Sequence, residues 1–398
     1  MLNTKKEKAL ENQYKKSPEK RLLLITQISL GIILIIAASL FIYVNRYHPA
    51  IQNLLGRNMN NIRTKTPFSI TVDSSENYRF NVYKDNILLC NKNGVKAIKK
   101  SGEEEWSITM NLSDPLIQAN DKYILIADKG GREVNIVTNY SVVCTKQTEE
   151  PVMMARINDT GYFVIVTEEK GYKGKISVYS PSGQEIYKWH SVENYIIDVD
   201  VSNDGKKLAV STIDISKGTV SAGLTFFNLT EERPYAGMVI EGTLISTIKF
   251  YKDNSLIAIG DNQMIGFSSQ GVQKWNVNYA DKDLHIYDLD RDGIIALGLV
   301  EKKGGSFLNG DSIIEIYDFD GQKKGSYQVS GEIRYMDVQD NLIALNKKRD
   351  ICVITPQGNE IAKAVSGKDI RDIVLFNNKR DILVVSRSTL EVLELKRN

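Results

Sequence analysis

The chain has 398 residues, ample to bury a core, with 51 Lys/Arg against 49 Asp/Glu, three histidines and a formal net charge of +2. So even a balance excludes the one-sided basic surface of a nucleic-acid binder. Cys90, Cys144 and Cys352 lie far apart in apolar runs, with no CxxC pair and no Cys/His cluster, which argues against a zinc site, a redox motif and a disulfide framework.

The charge is unevenly spread. Residues 1–65 hold 11 Lys/Arg and 3 Asp/Glu, leaving 40 basic and 46 acidic residues in 66–398. A basic N-terminal device therefore precedes a mildly acidic body. Residues 1–21 read as a basic tail. Residues 22–44, LLLITQISLGIILIIAASLFIYV, are 23 consecutive uncharged residues. At ~1.5 Å per residue they would span ~34 Å as a helix, enough for a ~30 Å hydrocarbon core. Seven Lys/Arg lie before this segment, and only Arg46, Arg57, Arg63 and Lys65 follow it closely. The positive-inside bias predicts a cytoplasmic N-terminus and an extracytoplasmic body. A cleaved signal peptide is the rival, but the apolar run is longer than such segments carry and continues past the small residues at 37–39. An uncleaved signal-anchor in the cell membrane is the expectation, with residues 45–65 as a basic stalk.

From residue 66 the texture changes to short apolar runs rich in Ile, Val, Leu, Tyr and Phe, bounded by turn pairs such as Asn-Gly and Asp-Gly. The turn before each strongest run carries an Asp, at 85, 121, 159, 204, 253, 292, 340 and 381. These steps average about 42 residues, and periods of ~40–45 with four strands per unit mark propeller blades. The pattern predicts an all-β fold, an eight-bladed propeller over 66–398, with seven blades as the alternative. The last unit has three strands before the chain ends. The lone run PFSITVDS at 67–74 is expected to supply its fourth and close the ring.

One phrase recurs within the units: KKSGEEEW at 99–106, SPSGQEIYKW at 180–189 and SSQGVQKW at 268–275. It reads as the hairpin between the third and fourth strands, where Gly supplies positive φ cheaply. Trp106, Trp189 and Trp275 then fall on the outer strand and are expected to pack between blades.

VKAIKKSGEEEWSI, ISVYSPSGQEIYKW and MIGFSSQGVQKWNV resemble the quinoprotein-like propeller repeat, in which an apolar strand, a Gly turn and a Trp recur. IEIYDFDGQKKGSY and ICVITPQGNEIAKA keep the Gly and lose the Trp. The whole layout also resembles membrane-anchored propeller proteins of clostridia and other Gram-positive bacteria, a group of unknown function. The resemblance implies a propeller scaffold that binds proteins. Enzymatic quinoproteins hold a quinone and calcium at the ring centre, often beside an adjacent Cys pair. This sequence has neither that pair nor a recognisable calcium set, so no cofactor is expected.

Catalytic signals are weak. His48, His190 and His285 do not form a motif, GDSI at 310–313 opens a strand, and DLDRDG at 288–293 lacks the later Glu of a calcium loop. Loop length carries more. Three second-to-third-strand connections are long, 168–174, 214–223 and 301–312, and insertions on one face often mark the binding face. They would present Tyr172, Lys173, Lys217, Phe307, Asn309 and Asp311. The sequence therefore predicts a non-catalytic binding or scaffold module for a protein or cell-envelope component, without nucleic acid. An enzyme or small-ligand sensor using the central funnel is the alternative.

Overall fold

The computed structural model describes residues 29–37, 41, 62–63, 69–73, 78–215, 218–291, 293–302, 311–378 and 380–395. The chain forms two compact units, residues 1–58 with residue 398, and residues 59–397. In the first, residues 29–37 are helical, and Leu30, Ile32, Ile33, Leu34, Ile35 and Ile36 are exposed. Among the described residues no helix is long and apolar enough to cross a membrane. Most of the predicted span at 22–44, the tail at 1–21 and nearly all of the stalk lie outside the described residues.

The second unit is an eight-bladed β-propeller. Seven blades are four-stranded sheets over 79–109, 115–147, 152–191, 195–241, 245–278, 282–329 and 335–365. Blade 8 takes Ile370–Leu375, Asp381–Ser386 and Thr389–Leu395 from the end of the chain. Its fourth strand comes from the other end of the unit. Ser69–Thr71 pairs with the last strand in the register Ser69↔Glu391 to Thr71↔Thr389, and Ile62–Arg63 adds a second short pairing at Leu395 and Glu394. This second pairing falls at 62–63, which the sequence reading assigns to the stalk. The join removes what would otherwise be an exposed sheet edge.

Burial explains the texture of the sequence. Second strands such as Ile124–Asp128, Phe163–Thr167 and Leu256–Gly260 are buried at every position, so they read as unbroken apolar runs. Outer strands such as Glu104–Thr109 and Gln273–Asn278 alternate between exposed and partly covered, with the period of two that a one-sided strand requires. The hydrophobic core is divided into eight clusters, and each straddles two neighbouring blades. No blade is buried without its neighbours, so the ring folds by stacking blade on blade.

The recurring phrase has a geometric cause. Gly102, Gly183, Gly271, Gly321 and Gly358 all have φ between +71° and +94°, and each N–H donates back three residues to close the turn. A β-bulge follows in each of these hairpins, as between Gly266 and Phe267. A turn followed by a left-handed Gly and a bulge is a standard three-residue hairpin.

Candidate functional site

Antiparallel order fixes which loops share a face. First-to-second and third-to-fourth turns lie on one face, here the turn face. Second-to-third loops and blade-to-blade connections lie on the other, here the loop face. The chain enters at Ile62, beside Leu395 at the turn-face end of the last strand.

The first strand of each blade borders the central channel, and in blades 2, 4, 6 and 7 its polar side chains brace the next blade. The Asp198 carboxylate accepts the Ile248 N–H at 2.9 Å, and Asp200 accepts that of Phe250 at 2.7 Å. Asp288 accepts the Val338 N–H at 2.6 Å, and Asp337 that of Leu375 at 2.6 Å. Gln118 accepts the Ile157 N–H at 3.1 Å in the same way, while Asn158, just past the first strand of blade 3, donates its side-chain amide to the Ser202 carbonyl at 2.8 Å. The bonds to the carboxylates and to Gln118 satisfy backbone donors on strand edges that no β-ladder reaches. Arg156 also reaches the Asp198 carboxylate at 2.7 Å. Burial raises the carboxyl pKa of Asp198 to about 6 despite Arg156, and that of Asp288 to about 7. Burial, with the Asp288 charge adding to it, pushes Asp337 well above the usual carboxylate range. Burial also raises Asp372. Among the described residues no group of three or more His, Cys, Asp or Glu could hold a metal ion.

The turn-face mouth is crossed by an ion pair between opposite blades. Arg291 of blade 6 holds Asp121 of blade 2 with both guanidinium nitrogens, at 2.5 and 3.0 Å. Asn377 of blade 8 donates to the same carboxylate. A cavity of about 240 Å³ lies here, edged by Asp159, Asp288, Asp290 and Asp337.

The loop face carries two features among the described residues. The first joins blades 3 and 4. Lys173 Nζ lies 3.2 Å from Tyr195 Oη and 4.5 Å from the centre of its ring, and the Tyr172 ring is 4.8 Å from that of His190. In the connections of blades 3 and 4 on the same face, Val192 is 64 % exposed and Ile215 59 %, with Tyr172, Tyr195 and Val220 also exposed. The second is a funnel of about 720 Å³ over blades 7, 8, 1 and 2, bordered by Arg79, Lys129, Arg371 and Arg387.

Of the predicted loop residues, Tyr172 and Lys173 lie in the blade 3–4 patch. Asp311 is exposed on the same face, in the blade 6 loop, where its carboxylate accepts the Gly331 N–H at 3.3 Å. Lys217, Phe307 and Asn309 lie outside the described residues. Trp106, Trp189 and Trp275 lie on fourth strands. The Trp106 ring is 5.9 Å from Tyr140 of blade 2, and the Trp189 ring 5.3 Å from Phe227 of blade 4. Trp275 lies so close over Gly321 of blade 6 that a Cβ there would meet its ring at 2.6 Å. His285 is exposed on the first strand of blade 6. The sequence reading missed the braces, the Arg291–Asp121 pair and the cationic funnel. An Asp inside the first strand of consecutive units was a visible signal for the braces. Nothing in the sequence assembles Arg79, Lys129, Arg371 and Arg387, which come from four separate stretches.

A ring of eight sheets, closed by its two ends and braced from within, defines an eight-bladed β-propeller. The chain belongs to the Family of unknown function (DUF5711), whose sequence model matches residues 56–395. Among curated proteins none matches the sequence. Similar solved structures are propellers. The C-terminal WD40 domain of Sif2 shares 12 % identity at a TM-score of 0.59, over 82 % of this chain and 98 % of that one. BamB from Moraxella catarrhalis shares 13 % at 0.49, over 83 % and 97 %. The β-propeller domain of Myceliophteria thermophila Cps50 (Swd1) shares 10 % at 0.47, over 82 % and 99 %. The first of these supports the fold.

Proposed function

We propose that the protein is a membrane-anchored, extracytoplasmic propeller that acts as a non-catalytic binding module, docking a protein or cell-envelope component on its loop face. The observation that carries this reading is the exposed cluster of Tyr172, Val192, Tyr195, Ile215 and Val220 where blades 3 and 4 meet. Aromatic rings and branched aliphatic side chains held at one place on a surface favour association with a partner. Four of the channel carboxylates, Asp198, Asp200, Asp288 and Asp337, are engaged as interblade braces. The anchoring half of the proposal rests on the 23-residue uncharged segment and on the exposed aliphatic side chains of the helix at 29–37.

Site-specific photocrosslinking in cells tests the docking face. A photoreactive residue at Tyr195 or Tyr172 should give a discrete crosslinked product, and one at Asp253, in a turn on the opposite face, should not. Equal crosslinking from both faces, or none from Tyr195, would sink the reading. Recovery of the full-length chain in the soluble fraction would remove the anchor.

A further inference from the structure

The funnel over blades 7, 8, 1 and 2 is a separate feature of the loop face. Four cationic side chains border it: Arg79, Lys129, Arg371 and Arg387. The Arg79 guanidinium lies 3.4 Å from Asp114. Lys129, Arg371 and Arg387 make no ion pair among the described residues, and Asp73 and Asp372 line the same opening. Such a cluster of cations is not the background of the molecule, because residues 66–398 carry 46 acids against 40 bases. The opposite mouth differs: it is edged by Asp121, Asp159, Asp288, Asp290 and Asp337 together with Lys249 and Arg291. The funnel also has apolar wall, from Phe80, Leu116 and Tyr335. Its volume of about 720 Å³ suits a few residues of extended chain or a small molecule, within the ~300–1,000 Å³ usual for ligand sites.

We infer that this funnel binds an acidic peptide segment, an extended stretch of a partner protein that carries Asp or Glu carboxylates beside an apolar side chain. Guanidinium forks match carboxylates with paired hydrogen bonds. The apolar wall favours a ligand with hydrocarbon to bury over a bare phosphate polymer, which needs charge alone. The inference rests on the loop face being the binding face, and it names the chemistry one part of that face selects.

The test uses the full-length chain in neutral detergent and a fluorescein-labelled octapeptide of alternating Glu and Leu, read by fluorescence anisotropy. The same peptide with Gln in place of Glu is the control. The Glu peptide should bind at least about tenfold more tightly than the Gln peptide and weaken as salt rises. Arg371→Ala with Arg387→Ala should cost at least about tenfold, and Arg387→Glu alone a comparable loss. Tyr172→Ser with Tyr195→Ser should leave the affinity unchanged. Equal binding of the two peptides overturns the inference, as does unaltered binding by the double arginine variant. Polyphosphate displacing the probe more effectively than unlabelled Glu peptide also overturns it, and assigns the funnel to phosphate-bearing polymers. Loss of peptide binding with intact crosslinking at Tyr195 removes this inference alone. The converse result removes the docking patch and leaves the funnel.

Discussion

Arg291 and Asp121 are 170 residues apart in sequence and on opposite blades, yet the guanidinium grips the carboxylate through both nitrogens at 2.5 and 3.0 Å. In an eight-bladed ring, blades 2 and 6 face each other across the axis, so this pair spans the turn-face mouth. A ligand in the channel is therefore expected to enter from the loop face, where the funnel opens.

The span is a gate more than a support. The Arg291 side chain is partly exposed, 35 %, and that of Asp121 58 %, and water screens such pairs to ~0–1 kcal/mol. Arg291→Ala should lower the melting temperature by no more than about 2 °C while making the channel accessible from the turn face. Labelling rates of a cysteine placed at Gln118, in the inner wall, report that access. A large loss of stability, or unchanged labelling, would contradict the assignment.

The braces are a different matter. Asp198 is fully buried; it accepts the Ile248 N–H and lies in ion-pair distance of the Arg156 guanidinium. Asp198→Ala would strand a backbone donor and a charge, and should cost about 3–5 kcal/mol in urea denaturation. Asp198→Asn keeps an acceptor for Ile248 and should cost clearly less. Equal costs for the two variants would mean that the hydrogen bond is not what matters there.

The architecture was legible because its signals are local. The Asp turns at 85, 121, 159, 204, 253, 340 and 381 each sit where the first strand of a blade reverses into the second, and the five Gly turns adopt the positive φ that their residue type suggests. The Trp residues were visible as a repeat for the same reason. What escaped is long-range. Asp288 and Val338 meet across 50 residues, and Arg79 and Arg387 meet only because blade 8 is closed by the start of the propeller. A strand read out of register by one residue reverses every side chain, so sequence alone could not decide which Asp faced the channel. The Arg291–Asp121 pair depends on the blade count itself.

Gly321 tests the link between a turn and its neighbour. Its φ of +75° disfavours any Cβ, and that Cβ would meet the Trp275 ring of the preceding blade at 2.6 Å. Backbone strain and overpacking each cost ~1–2 kcal/mol, so Gly321→Ala should destabilise by about 2–4 kcal/mol. Gly367, with nothing within 4 Å of a built Cβ and no positive φ, is the matched control and should tolerate Ala within about 0.5 kcal/mol. Pairing Gly321→Ala with Trp275→Leu should recover part of the loss. Failure to recover any would place the whole penalty in the backbone.

The channel carboxylates set the response to pH. Asp198, at about 6, and Asp288, at about 7, have folded-state values above the ~3.9 of an unfolded Asp, and burial raises Asp337 and Asp372 in the same direction. Between the unfolded and folded values the native state binds more protons than the unfolded chain. Stability must therefore fall as pH rises from about 4 to about 7, by up to ~1.4 kcal/mol per unit for each extra proton held. Carboxyls with depressed values, such as Asp121 under Arg291 and Glu315 among Tyr317, Lys323 and Lys282, work the other way. Their contribution is lost only as pH falls below the unfolded range, so the two sets bound a maximum in mildly acidic solution. Urea denaturation at pH 5, 6, 7 and 8 should show decreasing stability, and Asp288→Asn should flatten the slope between pH 5 and 7. A curve that rises from pH 5 to 8 would mean that these carboxylates are ionised in the folded ring at no cost, and that the channel is wetter than its walls imply.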